Sequence, residues 1–200
     1  MSGFQRPSAV GPLLLKLASL RSSLWRVQRA CESVIIASPH RLCLAREVVV
    51  DQHEAVLAAH RVLDRSDACE DILTVGTLSA LSADLLPDWY AEDWVMAHRE
   101  RYHQLRLHAL EVMCERLTAA GRYGEAVEAG LAAVRAEPLR ESAHRALVKV
   151  HLAEGNRFEA TRQYQSCRRL LRNELGLEPS PKLTALLARD GLPEIAKKRR

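Results

Sequence analysis

The sequence runs to 200 residues with 29 basic and 25 acidic side chains, a net charge of +4 that by itself demands no polyanionic partner. An apolar share of 48% is enough for a core and excludes wholesale disorder, while 4% aromatic residues favour helices packed through Ala and Leu. Cys31, Cys43, Cys69, Cys114 and Cys167 are irregularly spaced and form no CxxC pair, which excludes a zinc framework or disulfide scaffold and suits the reducing cytoplasm.

The basic charge is concentrated at the start. Through Val50, Arg6, Lys16, Arg21, Arg26, Arg29, Arg41 and Arg46 face only Glu32 and Glu47. Residues 1–16, with Gly, Ser and Pro before Pro12, read as an irregular amino end. From Leu17 to Cys31 a helix is expected: steps of 100° put Leu20, Leu24, Val27 and Cys31 on one face. Ser38-Pro39-His40 breaks that pattern. Arg41–Leu44 and Val48–Val50, joined by Ala45-Arg46-Glu47, read as a small β-hairpin. Beyond Asp51 the chain has helical period or is loop, with breaks at Ser66-Asp67 and Leu86-Pro87-Asp88. A basic tail, residues 191–200, closes the sequence.

An internal repeat organises residues 52–190. Ala120-Gly121-Arg122-Tyr123-Gly124-Glu125-Ala126 echoes Glu154-Gly155-Asn156-Arg157-Phe158-Glu159-Ala160. Gly121 and Gly155, Glu125 and Glu159, and Ala126 and Ala160 stand 34 residues apart, the period of the tetratricopeptide repeat, a pair of antiparallel helices. A glycine closes the first helix, an aromatic follows, a small Ala lets the helices approach, and Pro138 ends the second helix. The expected fold is mainly α: a tetratricopeptide-like antiparallel array of about seven helices, preceded by a small helix-plus-hairpin element.

Leu85-Leu86-Pro87-Asp88-Trp89-Tyr90-Ala91-Glu92-Asp93-Trp94-Val95, the two glycine corners, Glu137-Pro138-Leu139-Arg140-Glu141-Ser142-Ala143-His144 and Glu174-Leu175-Gly176-Leu177-Glu178-Pro179-Ser180 together resemble the bacterial transcriptional activator domain of SARP-type regulators, the Streptomyces antibiotic regulatory proteins. The likeness covers about Asp51 to Leu187. It implies a helical body that contacts protein partners beside a winged-helix DNA-binding domain, binding to promoter repeats, engagement of RNA polymerase, and two copies on tandem repeats. Residues 17–51 are similar to the end of that winged helix, with Ala18–Val27 as recognition helix and Arg41–Asp51 as wing. The family pattern carries a short sheet and two helices upstream, which Gly3–Leu17 is too short to hold, so an incomplete DNA-binding domain is expected.

If Leu20 and its neighbours point inward, Ser22, Trp25, Arg26 and Arg29 lie on the outer face with Arg21 at its shoulder. Guanidinium groups beside a small serine are what base edges and phosphates require. Trp25 could meet DNA, but the favoured reading is that it covers apolar surface toward the upstream helices that this chain is expected to lack. Arg41 and Arg46 are candidates for phosphate contacts, which add affinity without sequence reading. Trp89, Tyr90 and Trp94 read as core aromatics.

In the repeat array, the groove side of the first helices should present His108, Glu111, Glu115 and Thr118, then Ser142, Arg145 and Lys149. Glu111–Arg145 and Glu115–Lys149 are one repeat apart and opposite in sign, so mutual salt bridges are expected across the groove. His98, His103 and His108 lack a metal-binding spacing, and no nucleotide, nucleophile-elbow or HExxH motif occurs. No enzyme, cofactor or metal is expected, and no run reaches the roughly 18 apolar residues of a membrane span. The leading reading is a DNA-binding transcriptional activator; the alternative is a helical interaction scaffold that has lost DNA binding.

Overall fold

The structure, a computed structural model, describes residues 10–31, 34–64, 70–89 and 93–189. The chain divides after Val50 into two compact units. In the first, helix α1 spans Val10–Ala30, beginning seven residues before the expected Leu17 and replacing much of the irregular amino end. Strands β1 (Ile35–Ser38) and β2 (Arg41–Leu44) pair antiparallel, Ile35 opposite Leu44 and Ser38 opposite Arg41.

The hairpin therefore sits one strand earlier than the sequence reading placed it. Pro39 and His40 form its two-residue turn, where proline's fixed φ is an asset. The Ser38 hydroxyl donates to the Arg41 carbonyl at 3.0 Å and closes that turn. Val48–Val50, despite its β-branched run, forms no strand: Ala45 is buried, its N–H taken by the Val34 carbonyl at 2.9 Å, and the chain then turns through Arg46 and Glu47.

The second unit is helical throughout: α2 (Asp51–Leu63), a 3-10 turn (Glu70–Ile72), α3 (Val75–Ser82), α4 (Asp93–Ala119), α5 (Tyr123–Ala136), α6 (Glu141–Ala153), α7 (Arg157–Leu175) and α8 (Pro181–Arg189). Helices α4 and α5 form one hairpin and α6 and α7 the next, with α5 and α6 packed between them. Gly121 and Gly155 occupy the same corner of the two hairpins, with φ of 72° and 85°. Each corner closes identically. The residue after the glycine donates its N–H back five residues, Arg122 to Leu117 at 2.9 Å and Asn156 to His151 at 2.7 Å, satisfying carbonyls that a helix end leaves unpaired.

The small residues behave as the repeat requires. Ala126, Ala133 and Ala160 are wholly buried, and Gly130 on α5 lets the Leu147 side chain of α6 lie against bare backbone. One core joins α2 to α6 around Leu81, Leu110, Met113 and Leu117; a second joins α6, α7 and α8 around Val148, Leu171 and Leu183. The aromatic after the corner does not keep register. Tyr123 packs against the first core, whereas Phe158 falls one place past the 34-residue step and stands 73% exposed.

Trp89 and Trp94 are not core residues. They are 49% and 60% exposed and meet edge to face, ring centroids 6.1 Å apart. Tyr90, the Ser66-Asp67 break and the 191–200 tail lie outside the described residues. The strap from Ala83 to Trp89 is held instead by arginines of α4. Arg99 donates from Nε to the Leu85 carbonyl at 3.1 Å and from its terminal nitrogen to that of Leu86, whose φ is 46°. Arg106, 2% exposed, donates to the Ser82 and Ala83 carbonyls at 3.0 and 3.2 Å and pairs with Asp84.

Candidate macromolecule-binding surfaces

On α1 the residues proposed for nucleic acid share one surface: Arg21, Ser22, Trp25 and Arg26 line a single shallow, open depression. Trp25 is 59% exposed, and the Arg29 guanidinium lies over its ring at 5.1 Å, a cation–π arrangement that leaves charge and aromatic face together in solvent. Arg41 and Arg46 are exposed, one beside the hairpin turn and the other in the turn after β2. Of the stripe expected to point inward, Leu20, Val27 and Cys31 are exposed and Leu24 is half-buried.

Two acids of α4 are paired with bases just before and within α6. Lys149 meets Glu115 at 2.8 Å, the expected pair one repeat apart. Glu111 does not pair with Arg145. Its carboxylate accepts from Arg140 Nε at 2.6 Å and from the Ser142 hydroxyl at 2.5 Å. Arg140 stands just before α6 in extended backbone and reaches across, also contacting Gln104 at 3.3 Å and His108 Nδ1 at 3.2 Å. With both Arg140 and Ser142 on it, the Glu111 carboxylate is occupied before Arg145 can contribute. The 34-residue step was the signal for Lys149; nothing in the spacing marked Arg140, which lies outside the helix. Among the described residues no group of three metal-ligating side chains converges.

Deeper in the body, His144 is buried between the Pro138 carbonyl (2.9 Å from Nε2) and Gln163 (2.8 Å from Nδ1). Burial lowers its pKa despite the opposing Pro138 carbonyl and Glu141 charge, which suits a neutral ring donating from Nε2 and accepting at Nδ1. Burial likewise pushes the Cys114 and Cys167 thiols up to about 12. On the outer surface, hydrogen bonding from Arg168 holds Glu178 below the usual carboxylate range.

Fold and surfaces together define a class: stacked helical hairpins bridged by ion pairs between α4 and the α6 region, carried on one chain with a small basic helix and β-hairpin. The chain belongs to the family of the bacterial transcriptional activator domain, whose family model matches residues 50–189. That family is a domain of transcriptional regulators and not an enzyme family, and the SARP-type resemblance holds. The chain is 30% identical over 148 residues to the regulatory protein AfsR of Streptomyces griseus and 28% identical over 184 residues to AfsR of Streptomyces coelicolor. These matches cover 74% and 86% of this chain but only 14% and 18% of those relatives. In fold it is similar to EmbR of Mycobacterium tuberculosis, solved in complex with a low-affinity phosphopeptide. The TM-score is 0.61 at 19% identity, over 94% of this chain and 52% of that one. Among the described residues no helix is long and apolar enough to cross a membrane.

Proposed function

We propose that this chain acts in the cytoplasm as a DNA-binding transcriptional activator of the SARP type, with α1 and the β-hairpin as winged-helix elements and the tetratricopeptide-like body as its protein-contact module. The observation that carries the DNA reading is the shared surface of Arg21, Ser22, Trp25 and Arg26, where exposed guanidinium groups flank a small hydroxyl. Arg26 and Arg21 would reach base edges or phosphates, Ser22 would permit close approach, and Arg29 would bring charge with the Trp25 ring. Arg41 and Arg46 would add phosphate contacts. The body would engage RNA polymerase, and tandem promoter repeats would recruit two copies.

Fluorescence anisotropy with duplex DNA from the region upstream of its own gene, titrated over 50–300 mM salt, tests this. Arg26→Ala should weaken binding and reduce the slope of log affinity against log salt by roughly 0.9 if it holds one phosphate. Affinity and slope unchanged from the parent chain would remove α1 from the interface. Absence of any salt-dependent binding would favour the scaffold reading.

A further inference from the structure

We infer that a cavity between the start of α2 and the Ala83–Trp89 strap is a binding site for a small organic cation, an apolar body of ring size carrying an ammonium group. This inference is independent of the DNA reading.

The cavity holds about 240 Å³, at the lower edge of ordinary ligand sites, which suits a molecule on the order of ten non-hydrogen atoms. Its walls are apolar: Ala55 from α2, Ala80 from α3, Leu85 and Leu86 from the strap, and the Tyr102 ring from α4. One wall is a loop, yet a fixed one. Arg99 and Arg106 hold the backbone carbonyls at Ser82, Ala83, Leu85 and Leu86, and the positive φ of Leu86 is kept in place by those bonds. A preformed wall spares a ligand the cost of ordering it.

The polar groups lining the cavity are one-sided. Asp51 and Asp84 both belong to it, and among the described residues no Lys, Arg or His lines it. Burial raises the Tyr102 phenol above its usual range; Arg106 opposes this, while Asp51 and Asp84 each add to it, so both carboxylates act on the phenol in the cavity wall. Arg106, which does not line the cavity, pairs with Asp84 and holds the Ser82 and Ala83 carbonyls, which leaves Asp51, its Oδ1 accepting from the Gln52 N–H at 2.7 Å, as the lining carboxylate with no ion-pair partner among the described residues. Apolar walls, an aromatic side chain and a carboxylate without a cationic partner among the described residues favour an ammonium and disfavour carboxylates and phosphates.

Titrating 2-phenylethylammonium, 2-phenylethanol and 3-phenylpropionate into the ¹⁵N-labelled full chain tests the site. The expected result is amide shifts confined to Gln52, Ala80, Leu85, Leu86 and Tyr102, with the ammonium bound about fivefold more tightly than the alcohol, the scale of one partly exposed charge pair. The carboxylate should not saturate. Asp51→Asn should equalise ammonium and alcohol. Ala83→Leu, at an exposed position on the rim, should remove binding of both while leaving the urea midpoint in place. Equal affinity for ammonium and alcohol, shifts centred elsewhere, no saturable binding, or unchanged binding to Ala83→Leu would each overturn the assignment.

Discussion

Gly130 gives the sharpest test of the packing. A Cβ built there would lie 2.6 Å from Leu147 Cδ2, 2.7 Å from its Cγ and 3.3 Å from Cys114 Sγ. Carbon pairs are comfortable at roughly 3.5–4.0 Å, so the overlap is about 1 Å. Leu147 and Cys114 are wholly buried and have no exposed side to retreat to. Overpacking of this kind costs about 1–3 kcal/mol, against a helix-propensity gain of about 1 kcal/mol for replacing glycine by alanine. Gly130→Ala should therefore lose up to about 2 kcal/mol in urea unfolding followed by circular dichroism. Gly124→Ala, in the first turn of the same helix with nothing within 4 Å, should be neutral or stabilising. The decisive measurement is the double variant. Leu147→Ala alone should cost about 2–5 kcal/mol, and the added methyl at 130 should refill part of its cavity, so the two changes should fall short of additive by about 1 kcal/mol or more. Additive costs, or a Gly130→Ala chain more stable than the parent, would refute the three-helix contact.

The Glu115–Lys149 pair is roughly 40% exposed on both sides, so a double-mutant cycle should return about 0–1 kcal/mol, shrinking with added salt; a larger, salt-independent coupling would contradict its placement. His144 has a lowered folded-state pKa, so the unfolded chain binds the proton more readily, and stability should decline as pH falls below about 6.5. The urea midpoint of His144→Gln should decline less over that range; identical pH profiles would remove His144 as the cause. The Cys114 and Cys167 thiols titrate well above the ordinary 9.0, so the stability they contribute is full below about pH 9 and lost as pH rises toward 12. Under native conditions a thiol reagent mapped by mass spectrometry should reach exposed Cys31 well before either of them, and equal rates would contradict their burial.

What could be read from the chain follows from how local each signal is. Gly121 and Gly155 mark corners because a left-handed backbone position favours glycine whatever surrounds it, so their spacing carried the array and the Glu115–Lys149 pair. The hairpin was misplaced because Val48–Val50 has strand-like residues, while Pro39, read as a break, is in fact the turn between two strands. Aromatic content misled twice: Phe158 misses its register by one residue, and Trp89 and Trp94 pack on each other rather than on the body. Arg106 and Arg140 left no trace in periodicity. One is buried to satisfy the carbonyls of a strap more than twenty residues away, and the other reaches back from the residue before a helix. Such long side-chain contacts depend on tertiary placement alone.

The central claim is that nucleic acid meets the basic helix and hairpin and leaves the helical body untouched. Hydrogen exchange of the whole chain, with and without duplex DNA from upstream of its gene, tests it most directly. The account predicts slowed exchange within residues 19–30 and 41–46 and none across α4 to α7. Protection centred on α4 and α6, with α1 unchanged, would contradict it.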